Sequence, residues 1–248
     1  MDGVLAAWPL PPEPIDIKAE EVHVWGVELN QPEPIIQDSF HVLAQDERRR
    51  AESFFFVRDR VRFTIARGVL RKVLSRYLLC RPDLIRFDYG PEGKPALCRS
   101  HGSSLEFNAS HSNDLALYAI TRGRDIGVDV EHLREDLAGE QIARQFFSAR
   151  ELAELHSLPS GVWTQGFFNC WTRKEAYIKA IGKGLSQSLS SFSVSLEPGI
   201  PPALTWIEGN TAEAESWALR EIVIDASYAA AVAMRGNVWT MKRWRWFE

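Results

Sequence analysis

The sequence predicts an α+β protein made of two similar halves, on three observations. Two long segments, Asp59 to Leu79 and Phe167 to Ile181, carry apolar residues at helical spacing, so each is predicted to be a helix with one buried side. Runs of β-branched and aromatic residues precede and follow each segment and predict strands. Because this order of elements repeats along the chain, we expect antiparallel strands with helices packed to one side, and an internal duplication.

The first half, residues 1–123, is predicted to contain one strand, three helices and three further strands. Residues 1–20 are rich in proline, and we expect them to run over the surface. The predicted elements are a strand at Val22–Leu29, helices at Ser39–Leu43, Asp46–Phe56 and Asp59–Leu79, and strands at Phe87–Tyr89, Leu105–Asn108 and Leu115–Thr121. Asp46 suits the N-cap of the second helix, and Pro82 ends the third. The polar turn Thr121–Asp125 is the best place for a boundary between the halves.

The second half, residues 124–248, repeats this order of a strand, three helices and a set of strands. The predicted elements are a strand at Ile126–Glu131, helices at Leu137–Phe147, Ser148–Leu155 and Phe167–Ile181, and strands at Phe192–Leu196, Ala203–Ile207, Trp217–Ile224, Tyr228–Met234 and Val238–Phe247. Ser148 and Glu151 form a capping-box pattern at the start of the middle helix. Gly182 ends the long helix.

Composition excludes several classes of protein. A hydrophobic content of 45% with 25% charged residues is ordinary for a soluble globular chain. The net charge of -4 argues against general nucleic-acid binding, which needs a basic footprint. The three cysteines have no CxxC spacing, so neither a disulfide framework nor a zinc site is indicated. Since the start of the chain lacks a signal-peptide pattern and no stretch reaches membrane-spanning length, we expect no membrane insertion and a cytoplasmic location.

Three acidic residues on two predicted elements are candidate ligands for a metal ion. Asp129 and Glu131 lie two positions apart on a strand, so both side chains point to the same face. Glu175 lies on the second long helix, one turn before Lys179 on a common face. Neighbouring carboxylates in a partly buried site stay ionised only with a cation between them, and Mg²⁺ prefers such oxygen ligands together with phosphate and water. The pattern therefore indicates a phosphoryl-type transferase centre.

Each of these groups also has a plainer interpretation. Asp129 and Glu131 could be a solvated pair at a sheet edge, and Glu175 with Lys179 could be a surface ion pair worth about 0.3–0.5 kcal/mol. The basic loop at 182–186 suits an anion, but it is not a Walker A motif, because Tyr177 stands where the first glycine is needed. A kinase-type P-loop is therefore not indicated.

Three further segments offer groups that suit phosphate. Ser110 and His111 could belong to a simple capped turn, or could hold a phosphate together with backbone N–H groups. Lys94 is a cation in a tight turn between Gly93 and Pro95. The segment from Arg48 to Arg76 contains nine arginines, which form either a solvated helix face or a patch for a phosphorylated ligand or an acidic protein.

Taken together, these segments resemble the 4′-phosphopantetheinyl transferases, specifically the long surfactin-synthetase-activating type. The resemblance covers most of the chain and is carried by Gly93–Pro95, Phe107–Ser112, Ile126–Glu131, Phe146–Glu151 and Trp171–Leu185. The combination of GVDVE with WTRKEAYIKAIGKGL is highly specific, whereas the N-terminal third is less diagnostic. The implied reaction transfers the 4′-phosphopantetheine arm of coenzyme A (CoA) to a serine of an apo carrier protein and releases adenosine 3′,5′-bisphosphate.

The resemblance also implies roles for individual residues. Asp129, Glu131 and Glu175 would bind Mg²⁺, with Mn²⁺ able to substitute, and Glu175 would be the base for the carrier serine. Lys179 would stabilise the leaving nucleotide phosphate. The implied CoA contacts are Lys94, Ser110, His111, Asp129, Lys174, Lys179, Arg62 and either Arg49 or Arg50, of which Arg50 is preferred. Lys174 could equally face the carrier protein.

At the level of the whole chain, the resemblance implies two similar α/β halves related by pseudo-two-fold symmetry, with the active site in the cleft between them. It implies a monomer whose partners are acyl carrier proteins or peptidyl and polyketide carrier domains, with part of the docking surface between Phe146 and Phe168. Two other functions compete: a catalytically silent relative that binds CoA or carrier proteins, and another Mg²⁺-dependent phosphotransferase. The intact acidic set argues against the first, and the missing P-loop against the second.

Overall fold

A computed structural model describes residues 3–90, 93–182 and 187–247. The helices are α1 (Glu33–His41), α2 (Gln45–Glu52), α3 (Val57–Leu78), α4 (Glu140–Phe146), α5 (Ala149–Ser157), α6 (Ser160–Ile181) and α7 (Thr211–Glu215). The strands are β1 (Glu21–Glu28), β2 (Phe87–Tyr89), β3 (Pro95–Leu97), β4 (Leu105–Ser112), β5 (Leu115–Arg122), β6 (Ile126–His132), β7 (Phe192–Val194), β8 (Leu204–Ile207), β9 (Trp217–Glu221), β10 (Tyr228–Arg235) and β11 (Thr240–Arg245). The α+β class is confirmed. Most of the predicted basic loop lies outside the described residues.

The two halves of the chain have the same strand order. In the first sheet β1 pairs with β5 and β5 with β4, all antiparallel, and in the second sheet β6 pairs with β10 and β10 with β9 in the same way. A small hairpin accompanies each sheet, β2–β3 in the first half and β7–β8 in the second. This agreement in connectivity supports the predicted duplication, while the pseudo-two-fold rotation and the boundary at residues 123/124 stay predictions. The last strand, β11, adds parallel to β1 and so extends the first sheet.

Successive side chains of each strand point to opposite faces of its sheet, and the buried side chains form three clusters. Even-numbered residues of β1 and β6, such as Val24 and Val128, meet in a cluster that both sheets share. Odd-numbered residues of β1, such as Trp25, pack under α3 in a second cluster. The third cluster lies under α6, where it includes Ala231 of β10. On β6 the same alternation sends Asp129 and Glu131 away from the shared core, as the sequence predicts.

Close contact between α6 and β6 depends on Gly127. A Cβ atom at this position would lie 2.0 Å from the carbonyl oxygen of Ala176 and 2.4 Å from the backbone nitrogen of Ala180, which are impossible distances. The absence of a side chain therefore lets the helix lie directly on the strand. The consequence is that Glu175 and Lys179, on α6, come beside Asp129, two residues along β6.

In the first half the structure adds to the sequence prediction and also corrects it. The proline-rich start runs over the surface for most of its length, with Pro9, Pro12 and Pro14 exposed. Leu5 and Trp8 anchor it, because both are buried and join the shared core, where Leu5 covers Gly26. Asp46 is not the N-cap of α2, since that helix starts one residue earlier and its cap is Ala44. Glu47 satisfies the cap instead, through a 2.8 Å hydrogen bond that it accepts from the Ala44 N–H.

Two helix starts in the second half also differ from the prediction. The segment predicted to begin at Leu137 becomes helical only at Glu140, and the long helix α6 begins at Ser160 rather than Phe167. The capping box of α5 is confirmed, with the Ser148 N–H donating to Glu151 at 2.8 Å. Among the described helices, none combines the length and apolarity that crossing a bilayer requires.

Candidate active site

Strand β4 lies beside β6, and side chains bridge the two strands at every second residue. The backbone N–H of Val128 donates to Asn108 at 2.9 Å, Ser110 donates to Asp129 at 2.8 Å, and Ser112 donates to Glu131 at 2.7 Å. The bridging residues alternate along β4, so one face of this strand orients both acidic residues of β6. Two of them, Asn108 and Ser112, were not among the predicted site residues, although the period of two from Ser110 could have found them.

Asp129 has two carboxylate oxygens in different surroundings. Its Oδ1 accepts hydrogen bonds from Lys179 at 2.6 Å and from Ser110 at 2.8 Å. Its Oδ2 is buried, and no described residue donates to it. A buried carboxylate oxygen without a donor is costly unless a cation or water satisfies it. The chemistry of Asp129 Oδ2 therefore fits a metal-bound oxygen.

Glu131 and Glu175 are electrostatically coupled to Asp129. Burial raises the pKa of Glu131, and the negative charge of Asp129 raises it further. Burial followed by the Asp129 charge also raises the pKa of Glu175, whereas Lys179 opposes the rise. Within the described ranges, however, no three carboxylate, imidazole or thiol groups converge into a ready-made ion site. The acidic set is thus near enough for mutual repulsion without being drawn together as ligands.

Two lysines from different halves meet at this cleft. Lys179 of α6 donates to Ser110 at 3.0 Å in addition to its ion pair with Asp129. Lys94, in the turn before β3, donates to the Lys179 carbonyl oxygen at 2.6 Å and to that of Ile126 at 3.2 Å. Burial is the main cause that lowers the pKa of Lys94. A cavity of about 360 Å³ opens here, lined among others by Lys94, Asn108, Glu175, Lys179 and Leu189.

A smaller depression of about 150 Å³ shares Ala109 with this cavity and has Ser110 in its lining. His111 and Arg50 line it, and the guanidinium of Arg50 lies 5.3 Å from the ring centroid of Phe63. Partial burial lowers the pKa of His111, and the positive charges of Lys179 and Arg62 lower it further, so the local field is positive. Such a field suits an anion. Arg67, one of the nine arginines between Arg48 and Arg76 but not one of the named CoA contacts, also lines this depression.

Two predicted CoA contacts are engaged elsewhere in the structure. Arg62 donates to Asp114 at 2.7 Å and to Asn113 at 3.0 Å, and thereby ties α3 to the β4–β5 turn. Lys174 is buried beneath α6 and pairs with Glu151 at 2.7 Å. The helix turns Lys174 away from the cleft that its neighbour Glu175 faces, so its placement does not support a contact with CoA.

Comparisons with known proteins identify the family. The family model described as the 4′-phosphopantetheinyl transferase superfamily matches residues 125–233, and a model described as 4′-phosphopantetheinyl transferase, N-terminal, matches residues 32–122. The chain is 41% identical to the 4′-phosphopantetheinyl transferase HetI of a Nostoc species over 239 residues, which is 96% of this chain and 97% of that protein. The chain therefore belongs to the 4′-phosphopantetheinyl transferase family.

The chain is also similar to a second sequence relative and to a solved structure. It is 31% identical to the 4′-phosphopantetheinyl transferase Sfp of Bacillus subtilis over 176 residues, covering 70% of this chain and 76% of Sfp. Among solved structures, the ACPS–CoA complex of Chronobacterium ammoniagenes aligns with 46% of this chain and 98% of that chain, at 24% identity and a TM-score of 0.34. The family assignment rests on the sequence relatives and not on this structural similarity.

Proposed function

We propose that this protein transfers the 4′-phosphopantetheine group of CoA to a serine of apo acyl or peptidyl carrier proteins, a holo-acyl-carrier-protein synthase activity. The serine Oγ forms a bond to the β-phosphorus of CoA, the pyrophosphate P–O bond breaks, and adenosine 3′,5′-bisphosphate leaves. The observation that carries the proposal is the cleft in which Asp129, Glu175 and Lys179 meet Ser110 across the two halves. Family membership supplies the reaction, and the cleft supplies groups suited to it.

Asp129, Glu131 and Glu175 are proposed to hold Mg²⁺, which Mn²⁺ could replace. The donor set is all oxygen, and Asp129 Oδ2 is buried without a donor, so the chemistry fits a hard divalent cation. When bound, the ion would neutralise charge on the pyrophosphate as the anhydride bond breaks. The raised pKa values of Glu131 and Glu175 support the assignment, because both carboxyls are partly buried beside the negative charge of Asp129 and would gain from a cation.

Glu175 is proposed to accept the proton of the carrier serine, directly or through water. A carboxylate with a raised pKa is a stronger base, which suits this step at neutral pH. Lys179 lies beside the cleft and would stabilise the phosphate of the leaving nucleotide, while Lys94 lines the same cavity. Ser110, His111 and Arg50 would hold CoA phosphates in the adjoining depression. Arg62 would join them only if it left Asp114.

The carrier protein is proposed to approach beside Glu131. A depression of about 160 Å³ opens there, and its lining is apolar apart from Glu131, with Ile142, Phe168 and Trp171 among the residues. It overlaps the predicted docking segment between Phe146 and Phe168. An apolar depression next to an acidic site suits a partner that brings an apolar side chain and its serine together.

We further propose that the protein is cytoplasmic and monomeric.

The first experiment is the intact mass of an apo acyl carrier protein after incubation with the protein, CoA and Mg²⁺. We expect a gain of one phosphopantetheine arm, lost when EDTA is added and restored by excess Mg²⁺. A peptidyl carrier domain is tested in parallel, because the choice of carrier is separate from the chemistry. If neither carrier gains mass while calorimetry still detects CoA binding, the protein binds CoA without transferring it, and the proposal is wrong.

The Glu175→Gln variant tests the role of Glu175, since it preserves the side-chain shape but removes the carboxylate that is proposed as base and metal ligand. We expect transfer to fall at least about 100-fold, the lower end of the range for loss of a general base, while the Kd for CoA changes little. Full activity in this variant would remove Glu175 from the mechanism, whatever the wild-type protein does.

A further inference from the structure

Lys174 uses all of its hydrogen-bonding capacity inside the protein. Its ammonium group lies 2.7 Å from the Glu151 carboxylate, 2.8 Å from the Leu189 carbonyl oxygen and 2.6 Å from that of Phe192. An ammonium group has three N–H donors, and these three acceptors account for them. The side chain is only 1% exposed. Lys174 therefore has no donor left for a CoA phosphate.

Glu151, its partner, is fully buried and holds two further backbone groups. One carboxylate oxygen, Oε2, accepts from the Ser148 N–H at 2.8 Å, and the other, Oε1, accepts from the Val194 N–H at 2.8 Å. The pair thus connects three parts of the chain: the start of α5, the inner side of α6, and the segment from Leu189 to Val194. A buried pair with every group satisfied fixes its neighbours in one arrangement.

The segment that the pair holds forms part of the CoA cavity. Leu189, whose carbonyl oxygen binds Lys174, lines the cavity that also contains Lys94, Glu175 and Lys179. Lys174 and Glu175 are adjacent on α6, so one residue fixes the wall from behind while the other faces the substrate. A displacement of the Leu189 main chain would change the width of the cavity opposite Lys94.

We infer that Lys174 is a positioning residue which, with Glu151, fixes the Leu189 wall of the CoA cavity without touching CoA. This inference rests on the proposed function, because it assumes that CoA occupies that cavity. It reassigns the lysine of the WTRKE segment from phosphate binding to support of the site. The physical distinction is that a supporting lysine acts through Glu151, whereas a phosphate-binding lysine acts independently of it.

The test is a double-mutant cycle with Lys174→Met, Glu151→Gln and the combined variant, measured as kcat and as KM for CoA. We expect each single change to raise KM for CoA about tenfold, because a misplaced wall weakens binding, with a smaller effect on kcat. The KM for CoA of the combined variant should lie within about twofold of that of the more severely affected single variant, since both changes break the same ion pair. The rise in KM should be equal for CoA and 3′-dephospho-CoA.

Glu151→Gln is the decisive variant, because Glu151 does not line the cavity and the change leaves the Lys174 side chain itself unmutated. If KM for CoA is unchanged in folded Glu151→Gln, the pair is merely structural and the inference is wrong. Multiplicative losses in the combined variant, or a loss selective for CoA over its dephospho form, would show a direct phosphate contact instead. Lys242→Met, in the first sheet, controls for loss of a lysine and should leave KM unchanged.

Calorimetric CoA binding to the same variants separates failure of this inference from failure of the proposed function. If the wild-type protein binds CoA but transfers nothing, the proposed function fails, and the binding constants still test the cycle. Folding of every variant is checked by circular dichroism at the assay temperature. If Lys174→Met does not fold, Glu151→Gln still decides the outcome.

Discussion

The environment of one buried carboxylate explains much of the electrostatics of this cleft. Asp129 Oδ1 accepts hydrogen bonds from Lys179 and Ser110, whereas none of the described residues donates to Oδ2. Burial raises the pKa of both Glu131 and Glu175, and the negative charge of Asp129 raises both further. In the absence of a cation, Lys179 offsets only part of this repulsion. The site therefore lowers the stability of the metal-free protein while favouring the binding of positive charge.

This imbalance predicts how stability depends on pH. Because the folded-state pKa of Glu175 is raised above its unfolded value, the folded protein binds more protons between the two values, and stability falls as pH rises through the folded pKa. Replacing Glu175 with Gln removes that loss. We therefore expect Glu175→Gln to have a higher Tm than the wild-type protein at pH 7.5 in EDTA, with the difference shrinking toward pH 4, as measured by calorimetry.

Glu140 provides a control of opposite sign. Hydrogen bonds from His156 and Arg144 lower the pKa of this exposed carboxyl, so its charged form does not destabilise the fold. Glu140→Gln should therefore not raise Tm at pH 7.5. A rise of the same size in both variants would mean that any loss of negative charge stabilises this acidic chain, and the special role of Glu175 would be lost.

Among the elements, the contact between α6 and β6 decides whether the site exists. The strand supplies Asp129 and Glu131, the helix supplies Glu175 and Lys179, and Gly127 sets the distance between them. Strand β4 fixes the strand side through Ser110 and similar bridges. No single element contains the site, so its geometry is a property of how these three pack.

Replacing Gly127 with Ala should damage both stability and activity. The added methyl group would lie 2.0 Å from the Ala176 carbonyl oxygen, so the helix must move. Overpacking against backbone costs about 3 kcal/mol at the upper end of the usual range, which lowers Tm by roughly 6–12 °C in a chain of this size. A shift of about 1 Å at Glu175 should reduce kcat about 100-fold. Thermal unfolding and the carrier-mass assay measure the two effects.

Gly161→Ala is the matched control within α6. A Cβ at Gly161 meets nothing within 4 Å, and alanine favours the helix by about 0.5–1 kcal/mol. This variant should keep full activity with an unchanged or slightly higher Tm. If Gly127→Ala behaves like Gly161→Ala, close packing of α6 on β6 is not what positions the site.

The structure could be predicted from the sequence where a local pattern of residues determines it. Alternation predicts that Asp129 and Glu131 share a face, and the spacing of Ser148 and Glu151 predicts the cap of α5, which is confirmed. Patterns could not show that Lys174 faces inward, because a lysine inside a helix usually lies at the surface and only tertiary packing buries it. Similarly, no local pattern shows that Leu5 anchors the proline-rich start, because Leu5 covers Gly26, a contact distant in sequence.

At the scale of the whole molecule, the two halves share a core, and the second half adds a strand to the first sheet. One buried cluster contains Val24 from the first sheet and Val128 from the second, together with Trp239 from the C-terminal segment. Strand β11 then crosses over to pair with β1. Each half taken alone would expose one side of the shared cluster, and the first half would also lack its outer strand. The halves are thus alike in connectivity but interdependent in packing.

Expression of residues 1–123 and 124–248 as separate chains tests this interdependence. We expect neither fragment alone to unfold cooperatively, because each exposes a large apolar sheet face, whereas co-expressed fragments should associate and regain near-UV circular dichroism. Removing residues 238–248 from the second fragment should weaken that association, since β11 and Trp239 are then lost. A monomeric, cooperatively folded fragment would contradict the shared core and show that the two halves are independent domains.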